Sequence, residues 1–119
     1  MKIGIIGLGL MGGSFALDIK TPFPSSIIHG IDNSAENLNK AKEIGLIDFI
    51  ISYKDLRKMD LILVAVPVSH SLNIIPKVLD LISSNTLVFD VGSTKQAICE
   101  LLNDHLKRGN YLAAHPMAG

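Results

Sequence analysis

Lys2-Ile3-Gly4-Ile5-Ile6-Gly7-Leu8-Gly9-Leu10-Met11-Gly12-Gly13-Ser14 stands at the head of the chain and decides how the rest is read. Lys2–Ile6 is an apolar run of strand length, and the residues after the glycines take on helical spacing. Between the two, Gly7, Gly9 and Gly12 form a G-x-G-x-x-G pattern. The pattern is short and glycine is common, so its meaning comes from its place between a strand and a helix. In that setting the first glycine makes a tight turn and the second admits a pyrophosphate to the backbone. The third lets the helix pack closely on the strand. The anion then rests on the helix amino terminus, where free N–H groups and the helix dipole favour it. Gly7, Leu8, Gly9, Leu10, Met11 and Gly12 are therefore the expected cofactor contacts.

The next apolar run, Ile27–Ile31, ends at Asp32. That aspartate follows Gly12 by about 20 residues, the offset at which a carboxylate accepts hydrogen bonds from ribose hydroxyls. The plainer reading is a turn or capping aspartate before Asn33-Ser34. No arginine follows to receive a 2′-phosphate, so NAD is expected rather than NADP. Further apolar runs at 49–51, 61–66, 86–89 and 111–114 alternate with helical patterns at 10–20, 34–43, 71–83 and 95–106. This alternation predicts an α/β fold, a Rossmann-type doubly wound parallel sheet, in one domain over 1–119. The run 49–51 is the weakest and reads as a short edge strand. Ser34 is the expected cap of the second helix and Gly45 its left-handed stop. Pro76 fits the third helix only if that helix begins late enough to hold the proline in its first turn.

The chain has 119 residues, 48% hydrophobic, with 11 basic and 11 acidic side chains balancing to a net charge of +0. That is enough for one domain with a core, and it gives no electrostatic reason to expect nucleic acid or an anionic membrane. Cys99, alone, forms no internal disulfide, which fits a reducing cytoplasm; among Ile98, Leu101 and Leu102 it reads as a small buried thiol. Lys2 and the apolar stretch to Ala16 have the outline of a secretory signal, with Ser14-Phe15-Ala16 as its cleavage site. Gly4, Gly7, Gly9, Gly12 and Gly13 argue against it, being poor material for a helical signal core. No other stretch is long and apolar enough to span a bilayer. The sequence closes on Ala118-Gly119 without a final helix or polar tail, and so reads as a fragment of a longer chain. A stand-alone nucleotide-binding module with a regulatory role is the alternative from another functional class.

Ligands of open α/β sheets bind beyond the carboxyl ends of the strands. On that rim lie Val66-Pro67-Val68, Asp90-Val91-Gly92-Ser93-Thr94-Lys95 and His115-Pro116. Val66, Pro67 and Gly92 are expected to touch the cofactor. His115 is the acid–base candidate, since an unperturbed imidazole titrates near about 6.5. Ser93 would orient that ring or a substrate hydroxyl. The competing reading of His115 is a half-buried histidine bonded to a nearby carbonyl. His29, His70 and His105 have no evident partners and are set aside, and Lys95 reads as a first-turn lysine. No Cys/His/Asp spacing suggests a metal, and Ser93 lacks the strained elbow of a hydrolase nucleophile.

Four segments together resemble prephenate dehydrogenases, in that family's order and at about its spacing. They are Gly7 to Ser14, Ala65-Val66-Pro67-Val68, Asp90-Val91-Gly92-Ser93-Thr94-Lys95 and His115-Pro116-Met117-Ala118-Gly119. Thr94 stands where valine is more usual, and Met11 where isoleucine is. The resemblance implies oxidative decarboxylation of prephenate to 4-hydroxyphenylpyruvate, in tyrosine biosynthesis, with hydride passing to NAD. It makes His115 the base on the ring hydroxyl and Ser93 its neighbour. It also implies a helical domain, absent from these residues, that forms a homodimer and supplies an arginine for the substrate carboxylate. Arogenate is the alternative substrate. The β-hydroxyacid dehydrogenases share Gly-Leu-Gly-x-Met-Gly, but they usually carry Asn-Arg after the second strand and lack the His-Pro-Met-Ala-Gly segment.

Overall fold

Every apolar run of the sequence becomes a strand. The computed structural model describes residues 1–92 and 95–114. Its strands are β1 (Lys2–Ile6), β2 (Ile27–Ile31), β3 (Phe49–Ile50), β4 (Leu61–Val64), β5 (Leu87–Asp90) and β6 (Tyr111–Ala113). They form one sheet in the order β3-β2-β1-β4-β5-β6, and every pairing is parallel. β3 is the short edge expected from its weak pattern. The order reverses between β1 and β4, because the chain first winds outward to β3 and then returns to the other side of β1. Two layers of helix follow from that reversal.

Alternation along the strands divides the core between the layers. Ile3, Ile5, Ile28 and Leu63 pack with Ala16 of α1 (Leu10–Ile19) and Ala41 of α2 (Ala35–Glu43) on one face. On the other, Ile6, Ile62, Val64 and Val88 meet Ile75, Val78 and Leu79 of α3 (Val68–Leu81), together with Ile98 and Leu102 of α4 (Gln96–Leu102). Cys99 packs half-buried against this second cluster. α2 is bounded as its sequence predicts. The Ser34 side chain accepts the Asn37 N–H, and Gly45 just beyond the helix takes a φ of 80°.

Two helix boundaries differ from the expectation. α3 starts at Val68, directly after its cap Pro67, so Pro76 lies in the helix interior rather than in its first turn. The early start has a local cause: the Pro67 carbonyl accepts both the His70 and Ser71 N–H, and the Ser71 hydroxyl bonds the Val68 carbonyl. α4 ends at Leu102, short of the predicted 106. There the chain turns so that His105 Nε2 meets Asp80 Oδ1 at 2.8 Å and Lys107 Nζ caps the Ile82 carbonyl at the end of α3. Leu106 is left fully exposed. No helix among the described residues is long and apolar enough to cross a membrane.

Candidate functional site

The glycine loop shows what each glycine is for. Gly7 has a φ of 95°, and a Cβ there would lie 2.4 Å from the carbonyl oxygen of Ala65, just past β4. A Cβ on Gly12 would lie 1.9 Å from the Gly7 carbonyl oxygen, so the first turn of α1 passes against the loop with no room for a side chain. Gly9 differs from both: a Cβ there meets nothing within 4 Å. Its missing side chain serves no packing need inside the chain, and it leaves space over the amino end of α1. That end has no capping side chain, so its first N–H groups face the same space. An open approach over uncapped N–H groups fits a phosphate or pyrophosphate.

Asp32 stands beside the loop at the end of β2. The Leu8 N–H donates to its Oδ2 at 2.7 Å, and the Ser34 N–H donates to its Oδ1 at 2.8 Å. The turn role expected of it is therefore filled. A carboxylate offers about four lone-pair sites, and these two bonds leave room for ribose hydroxyls. Between the loop, β2 and β4 lies a cleft of about 230 Å³, to which Gly7, Gly9, Asp32, Val66 and Pro67 all contribute. Leu8 and Leu10 instead line the groove between α1 and α2 on the other side of the loop, and Leu10 and Met11 are exposed at 87% and 46%.

The cleft also contains residues that the sequence left aside. Tyr53 reaches it from the 3-10 segment Tyr53–Lys58, and His70 and Ile74 from α3. Burial pushes the Tyr53 phenol above its ordinary pKa, so it enters the cleft as a neutral donor. His70 had no sequence signal because most of its cleft neighbours come from the glycine loop, β2 and the segment after β3; only its place in the first turn of α3 hinted at the rim. His29, in β2, stacks on Phe49 with ring centroids 5.4 Å apart. Ser93 and His115 lie outside the described residues.

Beyond β5 a second cluster is buried. Asp90, 2% exposed, accepts the Tyr111 hydroxyl on Oδ1, while its Oδ2 takes the Lys95 ammonium at 2.7 Å and the Gly92 N–H at 3.1 Å. Lys95 Nζ also reaches the Asp90 carbonyl at 3.4 Å. Lys95 is thus the partner of a buried carboxylate rather than a plain first-turn lysine.

The family model described as "Prephenate dehydrogenase, nucleotide-binding domain" matches residues 15–119. The chain belongs to that family. The prephenate dehydrogenase of Lactococcus lactis subsp. cremoris is 38% identical over 99% of this chain and 34% of its own length. The prephenate dehydrogenase of A. aeolicus, solved in complex with hydroxyphenyl propionate and NAD+, superposes with a TM-score of 0.87 at 31% identity, over 100% of this chain and 42% of that one. The arogenate dehydrogenase of Synechocystis does so with a TM-score of 0.87 at 30% identity, over the same shares. The chain spans about a third of the length of the curated relatives it matches. Membership of this family sets the β-hydroxyacid alternative aside.

Proposed function

We propose that this chain is the NAD-binding part of a prephenate dehydrogenase, which converts prephenate to 4-hydroxyphenylpyruvate by oxidative decarboxylation. The observation that carries the reading is the paired cradle at the amino end of α1: open space over uncapped N–H groups at Gly9, and the Asp32 carboxylate beside it. Relatives of that name match nearly the whole chain, and the A. aeolicus neighbour was solved with NAD+. NAD, when bound, supplies the hydride acceptor. The chain's own residues hold it: Gly9 and the α1 N–H groups at the pyrophosphate, Asp32 at a ribose, Val66 and Pro67 along the far wall of the cleft.

His115 follows β6 in the sequence and, by family resemblance, takes the proton of the ring hydroxyl. Ser93 assists it. Removing that proton eases hydride loss from the same carbon. Positioning of the two reactants can account for ~7–11 kcal/mol of such a barrier, and the clamp for the substrate carboxylates is assigned to a helical domain that also forms a homodimer. Activity is therefore expected from a protein carrying that domain and not from these 119 residues alone. The similarity to an arogenate dehydrogenase keeps the amino analogue as a second substrate reading. The test is NADH formation by the longer protein with prephenate and with arogenate in turn. Preference for prephenate supports the proposal, preference for arogenate replaces its substrate, and turnover of neither overturns it.

A further inference from the structure

A dinucleotide has two nucleosides, and the cleft between Asp32 and Pro67 accounts for one of them. With the first ribose at Asp32 and the pyrophosphate at Gly9, the molecule must continue across β1 toward β4 and β5. Adjacent strands lie about 4.8 Å apart, so the end of β5 is about 10 Å from that of β1. Gly92 is found there. A Cβ on Gly92 would stand 3.3 Å from Val68, the residue after the cleft-lining Pro67, and 3.0 Å from Asp90 Oδ2. The Gly92 backbone therefore sits between the cleft and the buried Asp90 cluster, tied to the latter by its own N–H.

We infer that Asp90 is a positioning residue for the second nucleoside of the dinucleotide, acting through the Gly92 backbone. The inference rests on the dinucleotide reading proposed above. Asp90 has a side chain 3% exposed, and its oxygens are occupied by Tyr111 from β6, Lys95 from the start of α4 and Gly92. A buried carboxylate keeps its place only while its donors are present, and here those donors come from three separate segments. Together they lock the exit of β5 to β6 and to α4. The strand pairing alone stops at Asp90 opposite Ala113, so nothing in the sheet ladder holds Gly92. The Asp90 carboxylate does. Tyr111 suits a permanent donor role, because burial, then its hydrogen bond and proximity to Asp90, drive its phenol above the ordinary range.

Titration calorimetry of the 119-residue chain with NAD and with ADP, which keeps the first nucleoside and the pyrophosphate but lacks the second nucleoside, tests this. Asp90→Asn keeps the volume and removes the charge; Tyr111→Phe deletes a single hydrogen bond and is the fallback should the first variant not fold. The expected result is a loss of about tenfold in NAD affinity for Asp90→Asn and a smaller loss for Tyr111→Phe, with ADP affinity unchanged within about twofold. A merely structural role would not separate the two ligands. Equal losses for both ligands, or no loss for either, overturn the inference and leave the nucleotide reading standing. Binding of neither ligand by the unsubstituted chain overturns both.

Discussion

Both oxygens of Asp32 are engaged by backbone N–H groups before any nucleotide arrives, Oδ2 by Leu8 and Oδ1 by Ser34. The carboxylate thus fixes the glycine loop and the start of α2 while presenting its remaining lone pairs to the cleft. A 2′-phosphate placed at the same ribose would face that negative charge. Calorimetry should accordingly find NAD bound more tightly than NADP, and Asp32→Ala should lower NAD affinity by about tenfold while narrowing the gap. Equal affinities for the two cofactors in the unsubstituted chain would sink the assignment. His115 carries a separate expectation, placed on it by family resemblance. In the longer enzyme His115→Asn should lower kcat by ~10²–10⁴, the usual span of general-base assistance, and should remove the acidic limb of the rate profile. A folded variant within a few-fold of the parent would end the base assignment without touching the cofactor site.

Elements explain why two glycines of the loop should respond differently to the same added methyl group. Gly12→Ala pushes a Cβ to 1.9 Å from the Gly7 carbonyl, backbone against backbone, so the loop or α1 must move. A cost of about 2–4 kcal/mol is expected, read as a clear drop in Tm. Gly9→Ala meets no atom of the chain, and Gly9 already has a φ of −72°, which alanine adopts freely. Its Tm should hold or rise slightly while nucleotide binding collapses. A Gly9→Ala chain that still binds NAD at full strength would show that the pyrophosphate lies elsewhere. The strand–glycine–helix logic behind this pair was legible in the sequence because it is local. So were the six strands, the Ser34 cap and the Gly45 stop. What escaped was set by contacts distant in sequence. α4 ends early because His105 and Lys107 are drawn to Asp80 and Ile82 of α3. Lys95 stands near its partner Asp90 in sequence, but that carboxylate is also held by Tyr111 of β6, and His70 belongs to a cleft built largely by other elements. No periodicity announces such meetings.

At the scale of the whole molecule, the Asp90 cluster joins β5, β6 and α4 on one side of the sheet, and it ties stability to pH at the alkaline end. The chain has 2 tyrosines, Tyr53 and Tyr111. Burial raises the pKa of both phenols, and for Tyr111 the Asp90 hydrogen bond and charge raise it further. In the unfolded chain Tyr111 titrates near 10.0. Below that pH both states hold the proton, so the contribution of the network is present in full. As pH rises past 10.0 toward the higher folded value, the unfolded chain releases its proton and the folded chain does not. Each phenol that resists ionisation then makes stability fall by about 1.4 kcal/mol per pH unit. Tyr53 adds to this decline, so the steepness of a single curve is not decisive. The comparison with Tyr111→Phe is. At neutral pH that variant should melt lower, since Asp90 loses a donor worth about 1–3 kcal/mol. Above about pH 10 its stability should fall less steeply than the parent's, because one linked proton has been removed, and the two curves should converge. Denaturant unfolding at stepped alkaline pH, with tyrosine ionisation followed by ultraviolet absorbance, measures both quantities. Curves that stay parallel throughout would mean that Tyr111 ionises as freely in the folded chain as in the unfolded one, and that Asp90 does not hold its proton.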